Sequence, residues 1–150
     1  ALPDSALIRD IFASPARSSL SLGMEILSLD MKALETRVRF DGKEAFTNPA
    51  GFVQGGYLVA MMDDAIGMLA TVYAQVKTKG AKFPSTVDLH THFLRPVRTG
   101  AVEVVARIRN AGRANLFCEA DLFDARGKEG ARARASLTLN PVVKPVGESA

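Results

Sequence analysis

Tyr57-Leu-Val-Ala-Met-Met-Asp-Asp-Ala-Ile-Gly-Met-Leu-Ala-Thr-Val-Tyr-Ala-Gln-Val76 is apolar almost all round. Read as a helix, it has no polar face to give to water, so it belongs inside a domain. From Gly56 to Val76 it spans roughly 30 Å at about 1.5 Å per residue. Lys77-Thr-Lys79-Gly80 then supplies the basic residues and the glycine with which helices end. Two adjacent carboxylates, Asp63 and Asp64, interrupt the run, and no other charge lies between Glu44 and Lys77.

Working outward, Asp41 to Gln54 carries Gly42, Asn48, Pro49 and Gly51 and leads into Gly55-Gly56, a loop by composition. Before it, Gly23 to Phe40 shortens toward period two around an Asp30-Met31-Lys32 break, which predicts two strands. At the start, Leu7, Ile8, Ile11 and Phe12 fall at helical spacing ahead of Pro15, so residues 1–17 read as a helical cap. After Pro84, Thr86–Leu94, Ala101–Arg109, Ala114–Phe123 and Ala131–Leu139 read as four strands joined by short turns, an antiparallel meander, with a flexible tail over 141–150.

One sheet hides so apolar a helix only by curling round it. The expected class is α+β, an antiparallel sheet of five to six strands wrapped round one long central helix. The far side of the helix also needs cover, and a second subunit is the cheapest cover, so a homodimer is expected.

With 150 residues, 16.1 kDa, 47% hydrophobic and 23% charged, the chain reads as a single domain over 1–150. Nineteen Lys and Arg against 16 Asp and Glu give a net charge of +3, which permits an anionic partner without demanding one. Aromatic residues, at 7%, are not interleaved with the basic ones, which disfavours nucleic acid. No charge-free apolar run of about 18 residues occurs, so no membrane partner is expected. A lone Cys118 excludes an internal disulfide and points to a reducing, cytoplasmic location. His90 and His92 share one face of a strand, but with no third histidine a subunit contact is the better reading than a metal. Cys118, in an alternating strand, reads as a small core residue.

An ionised Asp inside an apolar helix costs several kcal/mol unless it is paired or hydrated. At least one of Asp63 and Asp64 should therefore face a cleft or an interface, where a carboxylate can act as general base. The plain alternative is that one touches solvent and the other pairs with an Arg of the sheet. At the start of the helix, free amides and the positive dipole end suit a carbonyl oxygen that becomes negative, and two glycines allow close approach. Gly55 and Asp63 are eight residues apart, about 12 Å along the axis, too far to act on one carbonyl within one subunit. If both act, they meet across a two-fold interface.

The run Asn48-x5-Gln54-Gly55-Gly56-x6-Asp63, followed by Thr86-Val-Asp-Leu-His-Thr-His-Phe-Leu-Arg-Pro96, resembles the PaaI-type branch of the hot-dog-fold acyl-CoA thioesterases, in the 4-hydroxybenzoyl-CoA thioesterase superfamily. The resemblance extends from about Gly23 to Leu139. It implies a hot-dog fold and hydrolysis of acyl-CoA, with Asp63 as general base or nucleophile and the Gly55 amide polarising the thioester carbonyl. Asn48 and Thr86 match an Asn and a Ser or Thr of the family's site, and Gly56 its second glycine. Gln54 stands where most members have His; its amide can donate to the thioester oxygen or to Asn48 but cannot shuttle protons. The nine-residue spacing from Gln54 favours Asp63 over Asp64.

No cofactor or metal is implied, coenzyme A being part of the substrate. Arg95 and Arg113, which flank turns, are the candidates for its phosphates, and Phe46, Phe52, Tyr57, Met61 and Met68 for the acyl pocket. The resemblance also implies a dimer or a dimer of dimers. Two rivals remain: a non-hydrolytic acyl-CoA binding or sensing protein, and a hydratase or dehydratase on the same fold, which would want a His paired with an acid.

Overall fold

The computed structural model describes residues 6–143. Residues 1–5 of the expected cap, the side chains of Leu7 and Ile8, and the expected tail from 144 onward lie outside the described residues. In chain order the elements are α1 (Ala6–Ala13), α2 (Arg17–Ser21), β1 (Glu25–Asp30), β2 (Glu35–Gly42), α3 (Gly55–Thr78), β3 (Lys82–Phe93), β4 (Gly100–Ala111), β5 (Asn115–Phe123) and β6 (Glu129–Pro141). A single 3-10 turn, Glu44–Phe46, sits in the loop between β2 and α3.

α3 is the apolar run, one residue longer at its start and two at its end than the spacing predicts. It stops where Lys79 turns left-handed at φ 50° and Gly80 follows at φ 78°. By length and composition it could cross a bilayer. Instead Met61, Met62, Ala65, Ile66, Ala70, Val72 and Ala74 are all at 0% exposure, packed into the core that the sheet encloses. The strands alternate accordingly. In β6, Ala131, Ala133 and Ala135 point inward and Arg132 and Arg134 outward, and the small inward residues leave room for the helix.

All six strands form one antiparallel sheet in the order β1-β2-β4-β5-β6-β3. The four strands after Pro84 are therefore not a simple meander. β4, β5 and β6 follow one another, but β3 pairs with β6 and not with β4, so it forms an edge. β3 also begins at Lys82, ahead of Pro84, because an edge strand tolerates a residue without an N–H.

α3 is covered on its far side in part by the chain itself. Ile11 and Phe12 of α1 and Leu22, just after α2, pack against the core. Removing volume beneath the helix should be costly: Ile66→Ala, at 0% exposure, is expected to lower unfolding free energy by about 2–5 kcal/mol. Urea denaturation measures it, and a loss below about 1 kcal/mol would mean that α3 is not packed as described.

Candidate active site

α3 runs alongside the edge strand β3, and the two touch at three levels. The Phe93 ring lies against Gly55, so that a Cβ there would come within 3.0 Å of it. The Thr86 hydroxyl donates to Asp63 Oδ1 at 2.9 Å. The Lys82 amide donates to Thr78 Oγ1 at 3.0 Å. The glycine at 55 is explained by that close approach.

At its N-terminus α3 has no side-chain cap. The Gln54 carbonyl accepts from the amides of Tyr57 (3.0 Å) and Leu58 (3.3 Å), while its own amide bonds to the Phe46 carbonyl at 2.9 Å. The amides of Gly55 and Gly56 have no backbone acceptor among these turn and cap bonds, which leaves them to a ligand or water. Space beside Gly56 is open: an added Cβ there meets nothing within 4 Å. Asn48 holds the preceding loop, its Oδ1 accepting from the amides of Ala50 (3.0 Å) and Phe52 (3.2 Å). That is an Asx turn, a structural task the spacing did not disclose. The Gln54 side chain makes no hydrogen bond to Asn48.

The two carboxylates diverge, as neighbours about 100° apart on a helix must. Asp63 turns to β3. Asp64 turns to α2, where Ser19 Oγ donates to its Oδ1 at 2.9 Å and its Oδ2 is buried without a partner. Burial pushes the Asp64 carboxyl above the usual carboxylate range; the Ser19 hydrogen bond opposes the shift and negative Asp63 adds to it. No arginine of the sheet pairs with either among the described residues. Ser19 escaped the sequence reading because 45 residues separate it from its partner.

Both carboxylates border a cleft of about 400 Å³ between α3 and the α1–α2 segment, with Thr86 at one side and Phe12, Leu22 and Met68 among its apolar walls. Of the acyl-pocket candidates only Met68 lines it. Met61 is fully buried, Phe46 and Tyr57 stack on each other with centroids 4.2 Å apart, and Phe52 lies under the Arg98 guanidinium.

Arg95 and Arg113 do not share a site within one chain. Arg95 lies beside Gly130, past the Phe93 end of β3, and the Arg113 carbonyl accepts from Lys82 Nζ at the other end. A twelve-residue strand separates them by on the order of 35 Å. Of the other arginines of this region, Arg107 pairs with Glu35 (2.8 Å) and Asp121 (2.9 Å) and Arg109 with Glu119 (3.4 Å) across the outer face of the sheet. His90 and His92 lie opposite Arg134 and Arg132 on β6. Among the described residues no three His, Cys, Asp or Glu side chains are grouped to hold a metal. Cys118 is buried, and burial pushes its thiol up to about 12, so it is an inert core residue.

The sequence model of the Thioesterase superfamily matches residues 50–131. Among solved structures, a phenylacetic acid degradation-related protein of Ralstonia eutropha JMP134 is similar at 33% identity, covering 89% of this chain and 99% of its own, with a TM-score of 0.79. A thioesterase of Haemophilus influenzae (20% identity, 91% and 90% covered, TM-score 0.77) and the PaaI protein of the E. coli phenylacetic acid degradation operon (18%, 90% and 90%, 0.74) share the fold.

A raised carboxylate makes a stability prediction. A folded-state pKa above the unfolded value means that the native state binds the extra proton, so stability falls as pH rises from the ordinary Asp range through the raised pKa. Asp64→Asn removes that loss. Its Tm relative to the unmodified protein should therefore be higher at pH 7 than at pH 3.5; a difference independent of pH would show that Asp64 is not desolvated.

Proposed function

Since this chain belongs to the thioesterase superfamily and has its hot-dog fold, we propose that it hydrolyses acyl-CoA thioesters at Asp63. The observation that carries this reading is the placement of Asp63: the carboxylate is held by Thr86 at the side of an apolar cleft, in the seam between the central helix and an open sheet edge. With Oδ1 engaged, Oδ2 serves either as base toward a water or as nucleophile toward the carbonyl carbon. In the first route Oδ2 takes the water proton as its oxygen bonds to the carbonyl carbon, then the C–S bond breaks and the proton goes to the CoA sulfur. In the second a mixed anhydride forms as the CoA thiolate leaves, and water then opens it. Both release a free acid and a thiol and need no cofactor.

The developing oxyanion calls for a donor, and the unbonded amide of Gly55 at the head of α3 is suited to it. It lies too far along the same helix from Asp63, so the donor comes from a second copy. β3 favours this reading. One side of its backbone is unpaired, and it exposes Phe83 (44%), Val87 (66%) and Phe93 (55%), a pattern that ordinarily marks a covered edge. Antiparallel pairing of two such edges, centred near Leu89 and His90, sets Phe93, and with it Gly55, opposite the partner subunit's Thr86 and Asp63. The same pairing carries the partner subunit's Lys82 and Arg113 toward Arg95, where they would jointly meet the CoA phosphates. Gln54, whose side chain has no titratable group, disfavours hydratase chemistry.

Purified protein is expected to release free thiol from aryl and medium-chain acyl-CoAs, and Asp63→Asn to slow this by at least about 100-fold with the oligomer intact. Tight acyl-CoA binding without turnover on any thioester would make it a binding protein instead. If Asp64→Asn abolished turnover and Asp63→Asn did not, the roles of the two carboxylates would be reversed.

A further inference from the structure

Lys82 and Arg113 belong to a larger surface, which phosphate binding does not account for. The end of α3, the start of β3, the β4–β5 turn and the end of β6 are tied together there. Lys82 pairs with Pro141 and its amide donates to Thr78 Oγ1, the Val142 amide donates to the Ala81 carbonyl at 3.0 Å, and Lys82 Nζ donates to the Arg113 carbonyl at 3.2 Å. The stretches that meet in this way, 74–84, 110–116 and 137–143, hold Lys77, Lys79, Lys82 and Arg113 and not one Asp or Glu. The side chains of Lys77, Lys79 and Arg113 have no hydrogen-bond or ion-pair partner among the described residues. On the outer face of the sheet, by contrast, Arg37, Arg39, Arg107 and Arg109 each meet a carboxylate. The dipole of α3 accounts for Lys77, in its last turn, but not for the others. Beside these cations Val76, Val142 and Val143 are exposed, Val143 at 83%. Unpaired charge of one sign mixed with exposed aliphatic side chains suits an anionic partner that also has apolar groups to bury.

The place of this surface says what the partner brings. Lys82 stands four residues before Thr86 on β3, about 13 Å away, so the surface borders the seam in which Thr86 holds Asp63. A phosphopantetheine arm spans that interval, and CoA is only one of its carriers. The phosphate end of CoA offers no aliphatic surface to three valines. Antiparallel pairing of two β3 edges also sends the two copies of the surface to opposite ends of the pair. One flat lipid surface cannot meet both, whereas a separate protein can sit at each. We propose that this surface docks an acidic carrier protein, and that the Asp63 site hydrolyses acyl groups delivered on that protein's phosphopantetheine arm as well as on CoA. The water oxygen bonds to the carbonyl carbon, the C–S bond breaks, the free acid leaves, and the proton goes to the sulfur, which stays on the carrier as a thiol. That step rests on the hydrolytic reading; the docking surface does not.

The test presents one acyl group, octanoyl, on CoA and on an acidic acyl carrier protein, and follows hydrolysis by the intact protein at low and high salt. The carrier-borne thioester should be hydrolysed with a kcat/KM that falls steeply as salt rises. Lys77→Glu combined with Lys79→Glu should raise KM for it by at least about tenfold and leave octanoyl-CoA turnover unchanged. Should that variant fail to fold, Lys77→Gln combined with Lys79→Gln should shift KM in the same direction by a smaller factor. Equal effects on both substrates, or a carrier-borne thioester left intact by protein that hydrolyses octanoyl-CoA, would overturn the proposal. So would charge-dependent binding to vesicles of anionic lipid without binding to the carrier. If neither thioester is turned over, yet labelled carrier protein binds and the Lys77→Glu, Lys79→Glu variant loses that binding, the hydrolytic reading falls and the docking surface stands.

Discussion

The structure depends on burying one helix along most of its length against a single sheet. α3 is apolar on nearly every side, and the sheet meets it with small residues where it must come closest, as at Ala131, Ala133 and Ala135 of β6. A flat sheet would reach only one face of such a helix, so the strands curl round it. The curl ends at β3, which follows the helix from Gly55 to Thr78 and leaves its other edge open. The helix, the edge strand and the short N-terminal helices thus converge on one side of the molecule.

Two carboxylates embedded in that helix are tolerable only because they leave it in different directions. Asp63 emerges beside the open edge, where a hydroxyl orients it and water can reach it. Asp64 is drawn into the contact with α2, where burial shifts it toward the neutral form and Ser19 supplies its one hydrogen bond. Neighbours in sequence, the two therefore have separate surroundings, Asp63 at the open edge and Asp64 in the contact with α2. On the outside of the sheet, charges are matched across the strands, as in the row Glu35, Arg107, Glu119, Arg134. Exposed pairs of this kind stabilise little.

Much of this was legible in the sequence, because the signals were local. The helix, its glycine-marked start and basic end, the strand periods and the turns all follow from short stretches of chain. Strand order did not: nothing local to Lys82–Phe93 tells that it pairs with β6 and not with the next strand, since pairing is a contest among distant partners. Pro84 was read as a boundary, when in fact it marked an edge. For the site, the spacing from Gln54 singled out Asp63, and Thr86 entered by resemblance alone. Ser19 and Phe93 were missed because their roles arise from contacts made across the fold. Asn48 carried two readings, and the structure gives its Oδ1 to the loop.

The proposed site is built from two copies of the chain, Asp63 from one and the Gly55 amide from the other. Subunit complementation tests this directly. Gly55→Pro removes the amide at the first helical position, after a Gln54 already extended at φ −61°, ψ 141°, and requires the Phe93 ring, which a Cβ at 55 would approach to 3.0 Å, to shift aside. Co-expressed with Asp63→Asn, it forms mixed dimers that retain one intact site. Each variant alone should be inactive, and the co-expressed pair should recover about a quarter of the unmodified turnover, half of random dimers carrying one of two sites. A co-expressed pair as inactive as its parents, with mixed dimers present, would contradict the shared site.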